Sequence, residues 1–267
     1  MSKRRAHRVG SPPRTVVVFA VAGIAFLVVP IVALIVRTPW AELGGLLTRE
    51  MVVDALRISI VASVAATAIS FVIGVPVAIV LARTEFPGKN LVRGFVLLPI
   101  VVPPVVGGAA LLFAFGRRGV IGGPLYDQTG IVLPFSIWGV IMAVTFVAMP
   151  FVIVTVESGL RSLDTKYENA AATLGAGRWM VLRRVTLPLL LPSLLSGLAL
   201  SWARAFGEFG ATLTFAGNVS GKTQTMPLAV FVALESNREI AVAISLVMVA
   251  VALAVLLVLR DRWWRTP

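Results

Sequence analysis

Residues 157–188 read ESGLRSLDTKYENAAATLGAGRWMVLRRVTLP, and the contrast between this stretch and its flanks decides the fold. It holds eight charged residues, from Glu157 to Arg184, and is too polar to enter lipid. On one side, Gln128–Val156 has no charged residue; on the other, Val185–Ala203 has none. Each flank holds enough apolar residues to cross about 30 Å of hydrocarbon as a helix of about 20 residues. A polar connector between two such runs is a loop between membrane helices. Inside it, Ser162-Leu163-Asp164 offers an N-cap and Lys166–Leu174 is rich in helix formers. Gly175 and Gly177 stop that helix, and a basic return segment leads to Pro188, at the start of the next span. The expected shape is a short helix, a glycine turn and a return helix, with a small face at Ala170, Ala171 and Ala172.

Further spans appear outward from this hook. Thr15–Val36 lies between Arg14 and Arg37, Ile58–Ala82 between Arg57 and Arg83, and Gly94–Gly116 between Arg93 and Arg117. The fourth takes the apolar part of Gln128–Val156 from Ile131. The fifth begins at Val185 and is expected to continue past Arg204 and Glu208; the sixth is Ile240–Leu259. Composition agrees, at 58% hydrophobic and 13% charged residues with a mean hydropathy of +0.95. Soluble domains carry roughly 25% charged residues, and a water-soluble fold of this length could not hide so much apolar surface. The fold class is all-α: a polytopic membrane protein of about six transmembrane helices. A basic tail, 1–14, precedes a single transmembrane domain, 15–267. The first span exceeds the roughly 7–15 residues of a secretory core and lacks a small-x-small cleavage site, so it is an uncleaved helix.

Loop charge sets the expected orientation. With the N-terminus inside, inner segments hold 16 of the 24 Lys and Arg residues and outer segments 7, with Arg204 within a span. This bias predicts both termini in the cytoplasm. It also explains the net charge of +12 without a nucleic-acid partner, because the cations flank apolar runs. The absence of Cys excludes a disulfide framework, thiolate catalysis and a Cys-ligated metal. The single His, His7, cannot build a metal site or a triad within one chain. No paired carboxylates, nucleophile elbow or metal-ligand cluster appears, so no intrinsic catalysis is expected.

Two spans carry unusual residues. Leu98-Pro99 and Pro103-Pro104, followed by Gly107-Gly108, must bend or partly unwind the third. Irregular backbone at membrane depth persists where protein or a water-filled cavity satisfies it. A pathway lining around Pro103 and Pro104 and a packed kink are both open. Arg204 and Glu208, four apart, are expected to share a helix face and pair. Such groups within a span mark a pathway, or else a self-neutralising pair that holds helices together. Ala216-x4-Gly221-Lys222-Thr223 fits a relaxed phosphate-loop pattern, but it joins spans on the outer face, without a preceding strand, and is a chance match.

The hook carries a resemblance. Asn169-Ala170-Ala171, Gly175 after three residues, and Val185-Thr186-Leu187-Pro188 after nine more are similar to the EAA loop, E-A-A-x3-G-x9-I-x-L-P, of ABC-importer permeases. Asn169 replaces the Glu of the pattern, with Glu168 immediately before it, and Val185 replaces Ile. The resemblance implies that Glu168, Asn169, Ala170, Ala171, Gly175, Val185, Leu187 and Pro188, within a loop of about 157–188, couple to an ATP-binding subunit.

A second resemblance follows the fifth span. Gly207-Glu208-Phe209-Gly210-Ala211, then Gly217-Asn218 and Thr223-Gln224-Thr225-Met226-Pro227-Leu228, is similar to molybdate permeases; sulfate permeases share a related G-E-F-G stretch. Together the two cover about residues 50–260. They imply a type I ABC-importer (MetI-like) permease fold in a bacterial-type cell membrane, paired with a second permease subunit as a homodimer. They also imply a cytoplasmic ATPase dimer that holds ATP and Mg, an external oxyanion-binding protein, and no cofactor on this chain. Molybdate stands first as substrate. Two tetrahedral dianions need similar donors, so sulfate, thiosulfate and tungstate stay as alternatives. A secondary transporter, the rival class, predicts inverted repeats and several buried acids; no clear repeat is visible, and Glu208 is the only acid well inside a span.

Overall fold

The computed structural model describes residues 13–263; most of the expected basic tail 1–14, including His7, lies outside them. Every regular element among the described residues is helical. In chain order these are α1 (Arg14–Arg37), α2 (Leu43–Leu47), α3 (Glu50–Arg83), α4 (Lys89–Val101), α5 (Pro104–Phe115), α6 (Gly122–Thr129) and α7 (Ile137–Ser162). The hook follows as α8 (Lys166–Thr173), α9 (Arg178–Val181), a π-helical turn (Leu182–Thr186) and α10 (Leu187–Leu189). The chain ends with α11 (Leu191–Phe206), α12 (Gly210–Ala216), α13 (Met226–Ser236) and α14 (Arg238–Trp263).

Four helices, α1, α3, α7 and α14, are each long and apolar enough to cross a membrane, and the total is six when each of two bent pairs is counted as one span. The first pair is α4 with α5, bent by 118°. Pro103 and Pro104 explain the break, since Pro104 has no amide hydrogen for a helical bond and Pro103 takes an extended conformation. The halves pack against opposite ends of α7. Val96 joins the cluster of Val156 and Leu160, whereas Leu111 and Phe115 join that of Ala143 and Val147. The third span is thus a broken one, as expected from its prolines.

The second pair corrects the expected fifth span. Arg178–Leu189 and Leu191–Phe206 meet at 69°, so the segment from Val185 to Leu190 approaches the bundle obliquely and the straight helix starts only at Leu191. Pro188 and Pro192, on either side of the bend, each remove a helical N–H donor. The helix then ends at Phe206 instead of continuing past Glu208, and Gly207 is its C-cap. The fourth span also starts later than Ile131. Pro134 interrupts the apolar run, and Ser136 caps α7 by accepting the Gly139 amide at 3.2 Å. At its other end α7 runs on through Glu157 to Ser162, residues expected in the loop.

The core is the pair α3 and α7, which run parallel, with α11 against both. Small residues on α3 (Ala62, Ala66, Gly74 and Ala78) meet Val140, Val144, Val152 and Val156 of α7. Small side chains let two backbones approach closely where lipid offers no hydrophobic drive between helices. Gly159 and Gly197 do the same for α7 and α11. By contrast α1 buries no residue and is exposed along nearly its whole length, as a lipid-facing helix is.

Candidate functional site

Two places gather the residues singled out in the sequence: the hook, and the point where the two broken spans meet. In the hook, Asp164 starts α8 by accepting the Lys166 amide at 2.9 Å. The Lys166 ammonium, and after it that amide, hold the Asp164 carboxyl below its usual range. The cap comes from Asp164, and Thr165 is the boundary residue. Gly175 ends the helix with φ +86°, a left-handed conformation that glycine adopts without cost. The Gly175 and Ala176 amides bond back to Ala172 and Ala171.

Along α8, Asn169 and Ala170 are exposed and Ala171 is half-buried. Ala171, Gly175 and Val185 line one shallow groove with Leu174, Met180 and Arg184. Leu187 packs toward the α3–α7 core and Pro188 is exposed. The last three groove residues were not picked out from the sequence. Leu174 is 88% exposed and Met180 48%, beside Trp179 at 68%. Large apolar side chains this exposed, on a segment with eight charges, are the signal that could have found them.

Glu168 behaves differently from its neighbours. Its carboxylate accepts from Arg83, at the end of α3, at 3.1 and 3.0 Å, and from the Thr186 hydroxyl in the π turn at 2.7 Å. Nearby, Glu157 on α7 is buried and pairs with Arg93 of α4 and with Arg161 at 3.0 Å. Each carboxylate therefore ties together elements distant in sequence.

At the second place the two breaks lie side by side. A Cβ on Gly210 would lie 3.1 Å from Pro104 and Val105, and one on Gly108 would lie 2.8 Å from the Ala211 oxygen and the Thr214 side chain. Pro103 and Pro104 thus sit beside the Gly207–Gly210 interruption. Glu208, 1% exposed, pairs with Arg204 and accepts the Ala211 amide at 2.7 Å. The expected pair forms, but not along one helix face: Glu208 lies beyond the end of α11 and caps the start of α12. Thr212 and Ser201, on either side, each have a buried hydroxyl without a hydrogen-bond partner among the described residues.

The stretch after α12 folds inward. Thr223, Gln224, Thr225, Met226 and Leu228 are all buried, and the Met226 amide donates to Ser59 of α3 at 2.7 Å. In the phosphate-loop look-alike, the amides of Lys222, Thr223 and Gln224 converge on the Val219 carbonyl at 2.9–3.1 Å. Amides spent on a carbonyl cannot cradle a phosphate, so the chance-match reading has a structural reason. Among the described residues no three His, Cys, Asp or Glu side chains group as a metal site.

Residues 74–264 match the family described as "Binding-protein-dependent transport system inner membrane component". The chain is 45% identical over 245 residues to the "Molybdenum transport system permease protein ModB" of Mycobacterium bovis, covering 92% of each. It is 43% identical to the protein of the same name from Escherichia coli, over 68% of this chain and 80% of that one. It is 37% identical to the "Sulfate transport system permease protein CysT" of Salmonella typhimurium, over 78% and 76%. Among solved structures, a bacterial ABC transporter for alginate import superposes with TM-score 0.74 at 17% identity, over 94% of this chain and 95% of that one. The MetNI methionine ABC transporter gives 0.61 at 19% identity, over 79% and 96%. With the family matched over most of its length and the fold shared with importer membrane subunits, this chain belongs to the binding-protein-dependent transport system inner membrane components.

Proposed function

We propose that this chain is the membrane subunit of an ATP-driven importer of an oxyanion, with molybdate as the substrate. The observation that carries this is the 45% identity to a molybdenum transport permease across 92% of both chains. The chain forms the pathway with a second copy of itself in a bacterial cell membrane, both termini inside. An external binding protein delivers the ion, and two cytoplasmic ATPase subunits that hold ATP and Mg grip the hook. The chain itself performs no catalysis. Closure of the ATPases moves α8, and the bundle swings between inward- and outward-open states whose balance the ligands bias. The junction at Pro103, Pro104, Arg204 and Glu208 is where the pathway opens and closes, since two broken helices meeting at depth is how many transporters line a midplane site.

The test is reconstitution of the chain with its ATPase and binding protein in vesicles. ATP-dependent uptake of labelled molybdate, resistant to excess sulfate, is expected. Sulfate competing on equal terms favours the second reading, a sulfate permease, to which the 37% identity with the Salmonella protein points. Uptake by the chain alone, driven by an ion gradient, would replace both with a secondary transporter.

A further inference from the structure

Within the hook, α8 is held to the bundle through very little. α8 is 8 residues long and buries none of them, so apolar packing does not fasten it. Its other side-chain hydrogen bonds among the described residues are local: Thr173 donates to the Asn169 carbonyl, and Lys166 pairs with Asp164. Glu168 alone reaches out of the segment. One carboxylate bridges 85 positions back to Arg83 at the end of α3 and 18 forward to Thr186 in the π turn.

Both anchors lead into the bundle. α3 is the 34-residue helix of the central pair, and Leu81, two residues before Arg83, is 1% exposed in the cluster of Leu160 and Leu190. Thr186 is itself buried, two residues before Pro188 and the 69° bend into α11. Its π turn is a stretch of i→i+5 bonding, a form frequent at functional sites. Besides its chain connections to α7 and α9, α8 has two side-chain routes into the bundle, one into α3 and one into the elbow of α11, and both pass through Glu168.

We propose that Glu168 is a positioning residue, the pin that couples α8 to α3 and to the π turn, and that Arg83 is its essential partner. This rests on the function proposed above but departs from the role its resemblance implies: Glu168 faces the bundle, not the ATPase. The docking contact belongs to the groove of Ala171, Leu174, Gly175 and Met180, and the pin acts behind it.

The experiment uses the complete complex in vesicles and compares the wild type with Arg83→Gln, Arg83→Glu, Glu168→Gln and the exchange Arg83→Glu/Glu168→Arg. Three quantities are read: ATPase retained on purification, ATP hydrolysed, and ions imported per ATP. For Arg83→Gln the expected result is full ATPase retention and hydrolysis, with import per ATP lowered about fivefold or more. Arg83→Glu alone lowers it further, and the exchange restores much of the loss. A merely structural role predicts lower yield with an unchanged ratio and no rescue, which overturns the proposal. Loss of ATPase retention in Glu168→Gln, with Arg83→Gln normal, overturns it by making Glu168 a docking contact. Absence of ATP-driven import in the wild type overturns the proposed function, and this inference with it.

Discussion

Gly108 on α5 lies so close to Ala211 on α12 that a Cβ added to it would stand 2.8 Å from the Ala211 carbonyl oxygen. Backbone meets backbone there, and neither side has a flexible side chain to yield. Gly108→Ala is therefore expected to destabilise the fold by about 1–3 kcal/mol, the usual range for overpacking. Gly94 in α4 has nothing within 4 Å of its would-be Cβ. Gly94→Ala should be neutral or stabilising by about 0.5–1 kcal/mol, because alanine restricts the unfolded chain. Thermal unfolding in detergent separates the two; a Gly108→Ala melting point at or above wild type would remove the close approach.

The neighbouring Glu208 makes two contacts that substitution can separate. Glu208→Gln keeps an acceptor for the Ala211 amide and loses the charge beside Arg204. Glu208→Ala loses both and leaves a guanidinium within the bundle. Removing one member of a buried pair costs about 3–5 kcal/mol; because the Arg204 side chain is 26% exposed, the low end applies. Arg204→Ala is the mirror case, with the carboxylate left at 1% exposure. The double mutant should be more stable than the sum of the singles implies, by 1 kcal/mol or more on the order expected for contacting residues. Strict additivity in a double-mutant cycle would mean that the pair contributes nothing.

Much of this architecture was legible in the sequence, and the misses share one physical cause. Charge-free runs located the four long apolar helices and both bent pairs because lipid admits little else, and the glycines at 175 and 177 placed the end of α8. Hydropathy, however, measures whether a segment tolerates lipid and not whether it is straight. It ran the fifth span through Gly207 and Glu208, where Phe206 ends the helix, and began the fourth at Ile131 instead of Ile137. The prolines at 103 and 104 announced a break, but nothing local announced that it would meet the one at Gly207–Gly210. That is a tertiary fact, set by Gly108 and Gly210 allowing contact. The partners of Glu168 were out of reach for a similar reason: a motif fixes spacing, while Arg83 and Thr186 lie 85 and 18 positions away.

The cap on α8 gives a pH dependence with a definite sign. Asp164 has a folded pKa below its usual value, because it bonds the Lys166 side chain and amide. A depressed carboxyl pKa contributes stability above the unfolded value and loses it as pH falls through the lower, folded one. Hydrogen exchange in the segment 165–173, referenced to Asp164→Ala, should show protection at neutral pH. The protection should persist through the ordinary carboxyl range near pH 4 and fade only below it. Protection that disappears well above that range would mean that the cap does not depend on the carboxylate.

The groove itself offers the sharpest contrast with the pin behind it. Ala171 is half-buried and lines the groove, and Ala170 beside it is exposed. Ala171→Arg therefore fills the groove without disturbing the bundle, and should abolish ATPase retention and ATP-driven uptake together at unchanged thermal stability. Gly175→Val acts by another route: a β-branched residue at φ +86° costs about 1–2 kcal/mol and reopens the turn, so weaker retention is expected with a locally loosened hook. Because the chain has no cysteine, Ala170→Cys provides a unique attachment point for a crosslinker. It should capture the ATPase subunit and should be labelled only from the cytoplasmic side. Retention lost in Ala171→Arg but kept in Arg83→Gln distinguishes the gripping surface from the linkage that transmits its movement. Normal uptake by Ala171→Arg, or labelling of Ala170→Cys from outside, would withdraw the groove as the docking surface.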